Sequence, residues 1–262
     1  MLKSLTVDLK TREDIQKMRE AGALLAGAVE RLRARVRPGV CTAELDASVE
    51  ADLRSQGAKP AFLGYRGYPA TLCVSINDEV VHGIPTQQRL LRDGDVVSFD
   101  LGCKWRGFFA DMAVTVAVGE VSPEARRLIA TTRTALEKGI AAVRPGARIG
   151  DVGWAVQECA EAAGFSVVRD FVGHGIGRAL HEDPAIPNYG KPGTGVRLQP
   201  GMVLAIEPMV NCGGPEVRVL EDRWTAVTGD GRLSAHFEHT VAVTEDGPSV
   251  LTRLEEGLGQ GR

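Results

Sequence analysis

Apolar residues at Ile15, Met18, Leu24, Leu25, Val29 and Leu32 follow Thr11, with Glu13 and Asp14 just inside the run. That spacing puts a stripe on one face of a helix, capped by Thr11 and with acids in its first turn. Ser122-Pro123-Glu124 opens a second run, through Leu128, Ala135, Leu136 and Ile140 toward Val143. Each run reaches Arg-Pro-Gly, at Arg37 to Gly39 and at Arg144 to Gly146, where proline and glycine end the helix. An acid seven positions beyond each arginine (Glu44, Asp151) opens another helical stretch, closing at Gly57 and Gly164.

Arg37 and Arg144 are 107 positions apart, as are Gly57 and Gly164. The turn and strand of residues 93–100 match those of residues 200–207, and Asp100 and Glu207 again stand 107 apart. These coincidences imply an internal duplication, roughly 11–118 and 119–250, within one α+β domain over residues 1–262. Each half gives two helices and then strands, with the sheets meeting at a central cleft. Asp100 and Glu207 both end apolar strands, where a carboxylate is costly to bury without a partner.

With 44% hydrophobic and 25% charged residues in a chain of 262, the composition is that of a globular protein with a sizeable core. A formal charge of -3 with scattered Lys and Arg disfavours direct nucleic-acid binding. The polar start from Met1 to Asp14 lacks the apolar run of a signal peptide, and no stretch has transmembrane length, so a cytoplasmic location is expected. Five cysteines (Cys41, Cys73, Cys103, Cys159, Cys212), with no CxxC pair, read as free thiols. Monomer is the default expectation.

The strand from Val96 to Gly102 and the strand from Phe108 to Val114 flank a polar turn and read as a hairpin. With the turn centred between Trp105 and Arg106, Asp100 and Asp111 lie directly opposite each other. Like charges so placed destabilise a sheet unless something compensates, and a divalent cation would do so. The alternative is a bulge that sends one Asp to solvent. Of five histidines, His174 lies in Gly173-His174-Gly175-Ile176-Gly177, where glycines permit close approach to a ligand, and His181 follows seven residues later. Glu207 precedes Pro208, while Glu238 opens an apolar run and shares a strand face with His236 and Thr240. The candidate ligand set is Asp100, Asp111, His174, Glu207 and Glu238. Such an oxygen-rich set suits Mn, Fe(II), Co or Zn. Four carboxylates call for two divalent ions, an arrangement that recurs in hydrolysis.

In motif and order the sequence resembles the type I methionine aminopeptidases of the pita-bread fold, in their short bacterial form. Besides the five ligands, Gly64 to Pro69, Cys73 to Asn77, Val81 to Pro85, Gly173 to Gly177, Ile206 to Met209 and Glu238 to Thr240 carry the likeness. The resemblance implies a central antiparallel sheet in two pseudo-symmetric halves with outer helices, and removal of the initiator methionine ahead of a small second residue. In that reading Asp100 chelates one metal, Asp111 and Glu238 bridge two, and His174 and Glu207 complete the set. A water activated by the metals attacks, His181 stabilises the oxyanion, Glu207 carries the proton, and His82 contacts the peptide beyond the scissile bond.

By the same resemblance the methionine pocket is Phe62, Tyr65, Tyr68, Cys73, Leu180 and Trp224, with His82 and His181 also touching substrate. Aromatic and sulfur groups suit a thioether. Leu180 departs from an aromatic common in relatives, Phe62 from a smaller residue, and Met112 from a Thr that often follows the second Asp. N-terminal Met peptides and nascent chains, met near the ribosome, are the implied partners. The rivals are a proline-directed aminopeptidase or prolidase of the same fold, and a non-catalytic binding protein.

Overall fold

The computed structural model describes residues 7–253; the first six residues of the polar start lie outside the described residues. Helix α1 spans Arg12–Arg33. The Thr11 hydroxyl accepts the Asp14 N–H and the Asp14 carboxylate accepts the Thr11 N–H, a reciprocal capping box. Met18, Leu25, Val29 and Leu32 form its buried stripe, with Ile15 and Leu24 half-buried. Helix α2 (Thr42–Ser55) packs beside it. Three short strands and a turn follow: β1 (Lys59–Pro60), the 3-10 turn Tyr65–Gly67, β2 (Leu72–Ile76) and β3 (Glu79–Val81). The long hairpin β4 (Val96–Trp105) and β5 (Phe108–Ala117) leads to α3 (Pro123–Ala141) and α4 (Ile149–Ala162). Ser122 caps α3 by accepting the Ala125 N–H.

The remaining strands are short: β6 (Ser166–Val167), β7 (Gly173–Gly175), β8 (Glu182–Ile186), β9 (Val203–Ile206), β10 (Met209–Asn211) and β11 (Val217–Val219). Then come β12 (Ala226–Thr228), β13 (Ser234–His236), β14 (Glu238–Thr244) and β15 (Gly247–Val250). One antiparallel sheet runs β1-β4-β5-β14-β9-β7-β8, with β2 on β4 and β15 on β14. The largest buried cluster joins residues of α1 and α2 to the outer side of β4 and β5, and residues of α3 and α4 to β9 and β14. The structure is thus the expected α+β architecture, a central antiparallel sheet covered by helices on one side.

Positions 107 apart adopt matching local geometry. Gly39 (φ 85) and Gly146 (φ 88) donate their N–H groups to Leu91 and Leu198, at 2.7 and 3.0 Å. Isolated antiparallel bridges join Cys41 to Leu90 and Arg148 to Arg197. No described helix is long and apolar enough to cross a membrane. All five cysteines are free, four of them buried.

Candidate active site

The β4–β5 hairpin supplies two of the five carboxylate and imidazole groups, in a register that differs from the sequence expectation. Asp100 pairs with Ala113 and Asp111 with Gly102, so the turn centres on Arg106 and Gly107, not between Trp105 and Arg106. Arg106 (φ 47) and Gly107 (φ 90) are both left-handed, the geometry of the tight two-residue turn that matches strand twist. Asp100 and Asp111 are therefore diagonal rather than directly opposed. The slip changes the pairing by two residues, and since side chains alternate with period two the carboxylates stay on one face. No bulge intervenes between them.

Asp111 is fixed from three directions. Its N–H donates to the Thr240 hydroxyl at 3.0 Å, the same hydroxyl donates to the Asp111 carbonyl at 2.8 Å, and the Met112 N–H donates to Asp111 Oδ1. Thr240 thereby completes a β5–β14 ladder whose regular pairs are Glu238 with Ala113 and His239 with Met112. The Met112 side chain turns to the opposite side of the sheet, in a groove with Phe237 and His239. Only its backbone touches the acid.

His174 is the centre of β7, between β8 and β9. A Cβ on Gly173 would lie 2.3 Å from the Ala205 carbonyl oxygen, and one on Gly175 would lie 2.3 Å from that of Asp183. The flanking glycines thus serve the close approach of neighbouring strands rather than of a ligand, which corrects the expectation from sequence. The Gly175 carbonyl lies 2.8 Å from His174 Nδ1. A carbonyl only accepts, so Nδ1 carries the proton and Nε2 presents its lone pair 3.5 Å from Glu207 Oε1. Glu207 follows β9 directly, its carbonyl accepting from Asn188 Nδ2 at 3.1 Å. Glu238 begins β14, and alternation sets it with His236 and away from Phe237 and His239, as its sequence context predicts.

Ligand atoms of Asp111, His174 and Glu238 lie within 4.8 Å of one another, and so do those of Glu207, His236 and Glu238. His236 was not among the sequence candidates, although alternation places it beside Glu238. Among the described residues its ring nitrogens have no hydrogen-bond partner, nor do Asp100 Oδ1 and Glu238 Oε1, all of them buried. Buried polar atoms are normally paired, and orphaned oxygens and imidazole nitrogens converging on one point fit a divalent cation.

Electrostatics tell the same story. Burial pushes the Asp100 carboxyl up to about 7 against a hydrogen bond with Asp111. Burial, followed by the charge of neighbouring carboxylates, drives three groups well above the ordinary range: Asp111 through Asp100, Glu207 through Asp100 and Asp111, and Glu238 through Asp111, Glu207 and Asp100. Burial lowers His174 to about 3, with His181 adding to the effect, and burial followed by the nearby His82 lowers His236 to about 3. Without a cation this set cannot be fully ionised.

A pocket opens over the cluster. Its walls hold Phe62, Tyr65, Tyr68, Cys73, Leu180 and Trp224, with His82, His181 and all five proposed ligands, so the proposed ligand, catalytic and substrate-binding residues are brought together here. Phe62, Tyr68, Cys73 and Leu180 are buried apolar lining. Burial keeps the Cys73 thiol protonated, its acidity suppressed further by Asp100. Tyr68 meets Trp224 edge to face at 5.1 Å, and its hydroxyl donates to the Gly83 carbonyl at 3.0 Å. His181 stacks on Tyr65 with centroids 5.3 Å apart, and its Nδ1 lies 3.0 Å from the Tyr65 hydroxyl. Arg66, absent from the sequence candidates, lines the mouth.

A closed carboxylate and imidazole cluster beside an apolar pocket defines a site for metal-assisted hydrolysis. The chain belongs to Metallopeptidase family M24, whose profile matches residues 16–245. It is 49% identical over 245 residues to methionine aminopeptidase 1 of Bacillus subtilis, covering 94% of this chain and 98% of that protein. The crystal structure of methionine aminopeptidase from Thermotoga maritima superposes with a TM-score of 0.93 at 48% identity, over 95% of this chain and all of that one. The prolidase from Pyrococcus horikoshii, at 22% identity, shares the fold with a TM-score of 0.76, this chain spanning 65% of its length.

Proposed function

We infer that the protein is a metal-dependent methionine aminopeptidase, releasing the initiator methionine from new chains with a small second residue. The observation that carries this reading is the cluster of orphaned buried carboxylate and imidazole atoms at the base of an apolar, sulfur- and aromatic-lined pocket. Asp100, Asp111, His174, Glu207 and Glu238 would hold two divalent ions, drawn from Mn, Fe(II), Co or Zn. Bound there, the ions supply the positive charge that offsets the carboxylates, acidifies water and polarises a carbonyl.

The chain's own groups supply the rest. Phe62, Tyr65, Tyr68, Cys73, Leu180 and Trp224 enclose an unbranched thioether side chain. With Nδ1 against the Tyr65 hydroxyl, His181 directs Nε2 to the developing oxyanion. His82 binds the peptide beyond the scissile bond. Glu207 would carry the proton to the leaving amine. We further propose one catalytic domain of two related halves, roughly 11–118 and 119–250, supported by the matched glycines and bridges 107 positions apart. Free thiols throughout support a cytoplasmic location, and the reading extends to a monomer that acts on nascent chains near the ribosome.

The test is cleavage of Met-Ala-Ser and Ala-Pro-Ala by metal-stripped protein with each metal added back. Release of Met, lost by more than about a hundredfold in Asp111→Asn, is the expected result. Release of Ala ahead of Pro would transfer the assignment to a proline-directed enzyme, and silence with every metal would indicate a binding protein.

A further inference from the structure

Arg66 is the only Lys or Arg among the described residues lining the pocket. It is exposed at the mouth, on the 3-10 turn, with φ 50 and ψ 21. A non-glycine residue persists in this left-handed region only where its surroundings hold it there. Gly64 (φ 81) and Gly67 (φ 91) frame it, and the Gly67 N–H donates to the Gly64 carbonyl. The guanidinium lies over the Tyr65 ring, 5.3 Å from its centroid, and Tyr65 in turn holds His181. Among the described residues Arg66 makes no ion pair, although 11 pairs of another Lys or Arg with a carboxylate form there. A cation is therefore pinned, unpartnered, at the exit of a pocket whose interior acids would be neutralised by metal.

We propose that Arg66 is a specificity-determining residue that recognises a carboxylate on the peptide beyond the scissile bond. The inference rests on the pocket being the seat of the first residue. With that side chain enclosed and the scissile amide at His181, an extended chain advances about 3.3 Å per residue, so the third residue passes the mouth within an arginine's reach. The carboxylate comes either from an acidic side chain at the third position or from the C-terminus of a tripeptide. A guanidinium fork suits either one bidentately. At an exposed site such a pair is worth up to about 1 kcal/mol, or about fivefold.

The experiment measures kcat/KM at low ionic strength for the metal-loaded enzyme on C-terminally amidated Met-Ala-Glu, Met-Ala-Gln and Met-Ala-Lys, and on the free acid Met-Ala-Gln. We expect Glu over Lys by about fivefold in the wild type, a ratio near one in Arg66→Gln and a reversed preference in Arg66→Glu. A Glu-over-Gln advantage among the amides assigns the contact to the side chain. An acid-over-amide advantage that Arg66→Gln removes assigns it to the C-terminus, and either supports the proposal. Charge-blind wild-type kinetics, or ratios unchanged in both variants, would overturn it while leaving methionine release intact. If the wild type released no Met from any of the four, the aminopeptidase reading itself would fall, and this proposal with it.

Discussion

His82 has a left-handed backbone (φ 62) and packs its ring edge-on against Phe171 at 5.5 Å and Trp224 at 6.2 Å. Burial, with the nearby His181, lowers its pKa from 6.5 to about 4. The unfolded chain therefore binds a proton at this position, between these values, that the folded chain excludes. The contribution to stability is complete above pH 6.5 and is lost as pH falls toward 4. In thermal melts of the metal-free protein, His82→Gln should flatten the decline in Tm over that window; an identical slope would refute the burial argument. At Thr240, one hydroxyl bridges both backbone groups of Asp111. Thr240→Val leaves both buried and unpaired, which should cost about 2–3 kcal/mol in denaturant unfolding and weaken metal binding, measured by calorimetry.

The loop between β7 and β8 carries both Leu180 and His181, and it is tied to the N-terminal segment as well as to the start of β8. Lys10, almost fully buried, pairs with Glu182, whose other oxygen accepts the Ala179 N–H at 2.9 Å. Arg178 reaches Asp14 at 3.0 Å. Removing one member of a buried pair strands the other charge, at a cost of about 3–5 kcal/mol. Lys10→Met should therefore lower both Tm and turnover, and Lys10→Met with Glu182→Gln should recover part of the loss of Tm. A double-mutant cycle in Tm and kcat measures the coupling, and additive effects would show the pair to be inert. Within β7 itself, Gly175→Ala drives a Cβ into the Asp183 carbonyl and should destabilise by about 1–3 kcal/mol or more.

For the whole molecule, metal and folding are linked. Burial raises the Asp100 carboxyl from 3.8 to about 7, so its protonated form stabilises the metal-free fold at low pH. That contribution is fully present below 3.8 and is lost as pH rises through 7. Stripping the metal should lower Tm, with a deficit that grows from pH 6.5 to about 8, and Mn or Co at 100 times Kd should restore about 2.7 kcal/mol. A Tm indifferent to metal at both pH values would contradict this linkage.

What the sequence determined was whatever local periodicity and backbone chemistry dictate. Thr11 and Ser122 mark helix starts, Arg-Pro-Gly marks two stops, and strand alternation sets Glu238 apart from Phe237 and His239. Of the five proposed ligands, Asp100 and Glu207 stood out in the sequence, because a carboxylate at the end of an apolar run is conspicuous. The tertiary structure decided what depends on residues distant along the chain. The hairpin register followed from two left-handed residues, Arg106 and Gly107, whose twist suits the strands, and this placed Asp100 and Asp111 diagonally. The glycines beside His174 answered to Ala205 and Asp183 on adjacent strands, which no local pattern reveals. Alternation set His236 on the face of Glu238, but only the fold brought its ring to Glu207, and packing alone held Arg66 over Tyr65. Local propensity is a property of neighbouring residues, whereas a site is a convergence in space, and only the closed sheet brings its parts within reach of one ion.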